Sequence, residues 1–150
     1  MKNRLDYNGY IIYKEEFLIW VNEFGVLKGW EFEFDFVPFN KNKPNDSLSH
    51  VQCYTDDKLA FVTVNENWRD TKITDYSIRK TAFHESVEVL FDPLESLITT
   101  KKNKGRGRIE VHTLIKLLEN TLFNESYIKR FGKIDHHYLS TRINVINDID

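Results

Sequence analysis

Cysteine, long apolar runs and net charge are scarce in this sequence, and each shortage excludes a class of protein. Cys53 is the only cysteine, so no internal disulfide framework can form, which is typical of a reducing cytosol. No apolar run approaches the roughly 18 residues of a membrane-spanning helix, and the opening "MKNRLDYNGYIIYKEE" lacks the apolar segment of a signal peptide. A net charge of -2 gives no overall attraction to nucleic acid or anionic membranes. We therefore expect a soluble cytoplasmic protein without membrane contact.

Large apolar side chains, in contrast, are abundant. Of the 150 residues, 41% are hydrophobic and 14% are aromatic. This is enough to fill one buried core, while the chain is short for two domains. We predict a single domain over residues 1–150, with a core in about residues 10–123 and a short helix plus a tail in 124–150.

The first part of the chain predicts a helix. Apolar residues recur at helical spacing in residues 13–27, and Gly25 is a natural stop for the helix. These apolar residues are Phe17, Trp20, Val21 and Phe24.

Three strands are predicted after this helix. The stretch "GWEFEFDFVPF" alternates strictly between aromatic and acidic residues until Pro38 ends it. Its aromatic face consists of Trp30, Phe32, Phe34 and Phe36, and its acidic face of Glu31, Glu33 and Asp35. "LSHVQCYT" and "KLAFVTVN" predict two more strands joined by a tight turn at Asp56 and Asp57. We expect an antiparallel sheet.

A long helix is predicted to begin near Thr74 or Asp75, since either side chain can cap its free amides. Its apolar residues form two stripes, one of Tyr76, Phe83, Val87, Leu90 and Leu94, the other of Ile78, Ala82 and Val89. A helix that is apolar on two sides is expected to pack between the sheet and a neighbouring helix. Pro93 should kink or restart it.

A last strong helix is predicted over residues 109–123, with Val111, Ile115, Leu118 and Leu122 facing inward. The predicted fold class is therefore α+β. It combines an N-terminal helix, a mostly antiparallel sheet of three or four strands, a central helix and C-terminal helices.

The polar face of the long helix contains "HESVE", which is half of a zinc-hydrolase motif. In His-Glu-x-x-His the first and last residues share one helix face and can bind one ion, while the Glu activates the bound water. Here His84 and Glu88 occupy the two ligand positions, and Glu85 occupies that of the general base. A carboxylate is an acceptable zinc ligand, but its charge makes the bound water a weaker acid. Glu88 should therefore impair catalysis more than zinc binding.

A third ligand has to come from another element, and the last helix offers two. His112 and Glu119 are seven residues apart and share one helix face. A plain antiparallel helix hairpin places Glu119 nearer to Glu88, whereas a bend at Pro93 brings His112 into range. A second interpretation assigns the "HESVE" residues to the solvent-exposed face of an amphipathic helix.

The order of elements and motifs resembles a family of small phage-encoded metallopeptidase-like proteins. The resemblance covers roughly Phe17–Phe123 and lies in the Trp-led strand, "VTVNENW", "RKTAFHESVEVLFDPLESL" and "EVHTLIKLLENTLF". It implies a minimal zincin-like fold in the host cytoplasm, with His84 a zinc ligand, Glu85 the base, His112 a site residue and a peptide or protein as substrate. The chain departs from the family at Glu88.

Two charged segments suggest a different function. "KKNKGRGR" is predicted to be a basic loop that could contact phosphates through Lys101, Lys102, Lys104, Arg106 and Arg108. A solvated loop is the preferred interpretation, because the net charge is negative. The acidic strand face is expected to prevent sheet association, or to bind a basic host protein. The alternative function is therefore a non-catalytic interaction or inhibitor protein on a zincin-like scaffold.

Overall fold

A computed structural model describes residues 3–41, 47–98 and 104–134. Two short 3-10 turns, Phe39–Lys41 and Thr55–Asp57, accompany the main elements. In chain order these are β1 (Asn3–Arg4), α1 (Tyr7–Glu23), β2 (Glu31–Val37), β3 (Ser49–Tyr54), β4 (Leu59–Asn65), β5 (Asn67–Arg69), α2 (Asp75–Ile98), α3 (Lys104–Leu118), a π-helical turn (Glu119–Phe123) and α4 (Asn124–Phe131). This arrangement confirms the predicted α+β class.

The strands form a three-stranded sheet in the order β2-β4-β3 and a two-stranded sheet of β1 and β5. The β3–β4 and β1–β5 pairs are antiparallel. The β2–β4 pair is parallel, with Glu31 opposite Leu59 and Val37 opposite Asn65. The fully antiparallel arrangement expected for the first three strands is therefore wrong. β4 lies between the other two strands, running parallel to β2 and antiparallel to β3.

The first core lies between α1, the three-stranded sheet and α2. Phe17 of α1 packs edge-on against Phe32 and Phe34 of β2, with ring centroids 5.4 Å apart in both pairs. The aromatic face of β2 therefore points inward, and Glu31, Glu33 and Asp35 point to solvent, as predicted. Helix α1 ends just before Gly25, whose φ of 43° is favourable for glycine.

Helix α2 is central and contacts α1, β3 and α3. Its predicted second stripe is confirmed, because Ile78, Ala82 and Val89 are fully buried. Its first stripe is confirmed at Phe83 and Val87 and wrong at Leu94, which is 40% exposed. The helix continues through Pro93 to Ile98, so it does not restart there.

The last helix changes its buried face at the π-helical turn. Val111 and Ile115 of α3 are buried as predicted, but Leu122 is 41% exposed and Phe123 is fully buried instead. A π-turn contains more residues than an α-turn, so it rotates the following residues relative to the regular helical pattern. This rotation directs Phe123 into a second core with Trp20, Phe83 and Tyr127. Glu119, at the start of the turn, is also buried.

The basic stretch "KKNKGRGR" was predicted to be a loop, but the part of it that the structure describes is helical. Lys104, Arg106 and Arg108 belong to α3, which begins at Lys104. Lys101 and Lys102 lie outside the described residues. None of the helices in the described part of the chain combines the length and apolarity needed to cross a membrane.

Candidate metal centre

Helix α2 presents His84 and Glu88 on one face, one turn apart. Its start is fixed by two reciprocal hydrogen bonds: the Ser77 amide donates to Oγ1 of Thr74 over 3.0 Å, and the Thr74 amide donates to Oγ of Ser77 over 2.8 Å. This pairing satisfies amides that would otherwise be free at the helix start. The predicted start near Thr74 is thus confirmed.

Three side chains converge on one point between α2 and α3. Oε1 of Glu88 lies 3.2 Å from Nε2 of His84 and 3.4 Å from Nε2 of His112. The potential ligand atoms all lie within 4.8 Å of one another. A tetrahedral zinc ion with bonds of about 2.0–2.1 Å places its ligand atoms about 3.3–3.4 Å apart. The two Glu88 distances match this spacing, so His84, Glu88 and His112 could hold a metal ion.

Glu119 lies behind His84 rather than among these three side chains. Its Oε1 is 2.6 Å from Nδ1 of His84, while Oε2 lies 3.2 Å from Nζ of Lys116 and 3.6 Å from Nζ of Lys80. A carboxylate on one ring nitrogen fixes the tautomer of a metal-binding histidine and orients the other nitrogen toward the metal. The sequence offered His112 and Glu119 as alternatives for the third ligand. The structure brings His112 into the group and places Glu119 against the other ring nitrogen of His84.

His84 is flanked by carboxylates on both ring nitrogens. Burial lowers its pKa, but the hydrogen bonds with Glu119 and Glu88 outweigh burial and raise the pKa to about 9. Burial acts on Glu88 in the opposite direction and raises its pKa. The hydrogen bond with His84 outweighs burial, so the pKa of Glu88 is lowered. A proton on Nε2 of His84 and a metal ion therefore compete for the same position.

Glu85 is buried beside this group. Oγ of Ser49, on β3, donates a 3.0 Å hydrogen bond to its Oε1, and Oε2 accepts none from the described residues. Burial and the negative charge of Glu88 raise the pKa of Glu85 to about 8. The placement of Glu85, only 6% exposed, excludes the interpretation that the whole motif lies on a solvent-exposed face.

Clefts open on two sides of the group. A cleft of about 450 Å³ is lined by His84, Glu85 and Glu119. A smaller one of about 150 Å³ is lined by Glu88, His112 and Cys53. Burial raises the pKa of the Cys53 thiol to about 12, so this cysteine stays protonated at neutral pH. A small molecule can approach the converging side chains from either cleft.

Sequence reasoning did not identify Ser49 or the supporting position of Glu119. Ser49 reaches Glu85 across 36 positions of the chain, and Glu119 reaches His84 across 35. No local periodicity encodes such contacts. Arg108, from the predicted basic segment, is exposed and lines the smaller cleft beside His112.

Comparison of the chain with protein-family models, curated proteins and solved structures found no match. The resemblance to phage-encoded metallopeptidase-like proteins therefore stays a prediction.

Proposed function

We propose that the protein is a zinc-dependent hydrolase of the zincin-like type, acting on peptide bonds. The observation that supports this most is the convergence of Nε2 of His84, Oε1 of Glu88 and Nε2 of His112, with Glu119 on the far nitrogen of His84. A buried carboxylate on the second ring nitrogen is the usual companion of a histidine that binds a metal.

Zinc fits this ligand set better than calcium or magnesium. Imidazole nitrogens suit zinc, copper, iron and nickel, whereas calcium and magnesium require oxygen ligands. Three protein ligands leave the fourth position of a tetrahedral ion open for water or substrate, as in catalytic zinc sites. Glu88 in place of a second motif histidine retains this coordination number.

Bound zinc would lower the pKa of a coordinated water and polarise a substrate carbonyl. The residues of the chain would supply the proton transfers. A zinc ion held by Glu88 would offset the negative charge that raises the pKa of Glu85. An ionised Glu85 would then accept a proton from the attacking water as the water oxygen bonds to the carbonyl carbon. Glu85 then returns this proton to the leaving nitrogen as the C–N bond breaks, so one peptide and one water give an acid and an amine.

Metal content is the direct test of the site. We expect about one zinc per chain in the purified untagged protein, measured by elemental analysis, and none in His84→Ala or His112→Ala. His50→Ala is the matched control, because His50 is an exposed histidine on β3 outside the group. Full zinc content in His84→Ala would exclude the site.

Removing the support behind His84 should weaken the site without removing a ligand. In Glu119→Gln the carboxylate that fixes Nδ1 of His84 is lost, and we expect zinc affinity to fall about 10- to 100-fold. Competition with a chromogenic chelator measures this change. Lys116→Gln removes a salt bridge to the same carboxylate and leaves the His84 contact, so its affinity should match the wild type. Equal affinity in Glu119→Gln would show that His84 needs no support.

The second candidate is a non-catalytic protein that binds a host protein or nucleic acid through a charged surface. The exposed acidic face of β2 favours a protein partner. Charge reversal at Lys101, Lys102 and Lys104 tests whether the partner is a nucleic acid. Losing phosphate contacts would weaken the binding of a nucleic acid and reduce the salt dependence of that binding.

A further inference from the structure

The outer face of the three-stranded sheet carries three exposed carboxylates that the proposed catalytic site does not use. The first core packs on the inner face. The strand registers place nine side chains on the outer face, and no lysine or arginine is among them. They are Glu31, Glu33 and Asp35 of β2, Leu59, Phe61 and Thr63 of β4, and His50, Gln52 and Tyr54 of β3.

The three carboxylates form a regular row. Glu31, Glu33 and Asp35 are all exposed, and alternate residues of a strand lie roughly 7 Å apart. No ion pair joins any of them to another residue in the described ranges. The row concentrates three negative charges on one strand of a chain whose net charge is only -2. The three carboxylates repel one another, and bound cations reduce this repulsion.

An exposed aromatic pair lies next to this row. Phe61 is directly opposite Glu33 in the β2–β4 register. Its ring packs edge-on against that of Tyr54, with centroids 5.8 Å apart. The two side chains are 37% and 43% exposed. Aromatic faces attract guanidinium and ammonium groups, so carboxylates and rings here favour the same kind of ligand.

We propose that this acidic-aromatic face binds an extended arginine- or lysine-rich segment of a partner protein. Alternate side chains of an extended segment repeat at the same roughly 7 Å as the carboxylates. Basic side chains on one side of such a segment can therefore pair with Glu31, Glu33 and Asp35 in turn. Nucleic acids and anionic membranes are repelled by the same row. The proposal is independent of the candidate metal centre, because His84, Glu88 and His112 do not belong to this outer face.

A labelled peptide of four Arg-Ser repeats is the probe, and its dissociation constant is measured by fluorescence anisotropy. For the triple variant Glu31→Lys, Glu33→Lys, Asp35→Lys we expect binding to weaken about ten-fold or more, since three ion pairs become repulsive. Phe61→Ala should weaken binding roughly two- to five-fold. Added salt should weaken the wild-type complex.

The matched control is Glu15→Lys, Glu23→Lys, Glu125→Lys, which changes the net charge equally at exposed positions outside the sheet. We expect this variant to bind the peptide nearly as well as the wild type. Equal weakening in both triple variants would overturn the proposal, because binding would follow net charge alone.

Three more measurements test whether the acidic row itself holds the peptide. The neutral variant Glu31→Gln, Glu33→Gln, Asp35→Gln should also lose binding, with a circular dichroism melt like that of the wild type, which excludes unfolding. His84→Ala should bind the peptide normally, which separates this face from the metal centre. A wild-type dimer in sedimentation that the charge-reversed variant dissociates would overturn the proposal in favour of a second copy of the chain.

Discussion

Replacing Glu85 with Gln is expected to leave the zinc content unchanged and to reduce peptide hydrolysis by about 10²–10⁴-fold. The amide of Gln has the shape of the carboxyl group and can still accept the hydrogen bond from Ser49. It cannot take a proton from water. The variant therefore separates proton transfer from metal binding and from the packing of α2 against β3.

Cleavage of a quenched fluorescent peptide library by the zinc-loaded proteins measures this effect. Glu23→Gln, at an exposed position on α1, is the control and should cleave like the wild type. A Glu85→Gln variant that retains activity would remove Glu85 from the mechanism. A wild-type protein that binds zinc and cleaves nothing would leave a metal-binding protein without the proposed activity.

The second large effect is expected at Glu16, a fully buried carboxylate on α1. Its two oxygens accept hydrogen bonds from Trp20, Arg79 and Arg130. Both guanidinium groups also lie over the ring of Phe131, 4.7 and 4.9 Å from its centroid. This cluster joins α1, α2 and α4 through one buried charge.

Glu16→Gln removes that charge and leaves the guanidinium of Arg130 without its carboxylate. Removing one member of a buried ion pair costs about 3–5 kcal/mol. Arg79 retains Asp75, and Arg130 is 29% exposed. We therefore expect the free energy of unfolding to fall by about 3 kcal/mol. Urea denaturation measures this, and Glu15→Gln, at the exposed neighbouring position, should be nearly neutral.

The same variant should change the response to acid. Burial raises the pKa of Glu16, but the two arginines outweigh it and lower the pKa below its ordinary value of 4.5. The stability contributed by the ionised carboxylate is complete above pH 4.5 and is lost as the pH falls toward the lowered pKa. The wild type should therefore lose more stability between pH 5 and pH 2 than Glu16→Gln. Parallel curves would show that Glu16 does not titrate differently in the folded protein.

Local patterns in the sequence predict most of the elements and two of the three side chains of the candidate metal centre. The alternation in β2, the two stripes of α2 and the one-turn spacing of His84 and Glu88 depend on residues close in the chain. Periodicity detects such relations directly. The burial of the Glu85 side chain was not predicted, because it depends on where β3 packs against α2.

The remaining features depend on contacts between distant segments. The parallel β2–β4 pair depends on which strand takes the central position in the sheet. The position of His112 beside Glu88 depends on how α3 packs against α2. Neither arrangement leaves a periodic pattern in the sequence. Spacing alone therefore could not decide between His112 and Glu119 as the third ligand.

The π-helical turn at Glu119–Phe123 makes this architecture sensitive to chain length. A π-turn is what a regular helix becomes when it accommodates one inserted residue. His112 precedes the insertion point, whereas Phe123 and Tyr127 follow it. A deletion of one residue here would restore α-helical phase and rotate the segment after it by about 100°. His112 would keep its place while Phe123 and Tyr127 turned away from the core, so losing a single residue would uncouple the candidate metal site from the C-terminal helix.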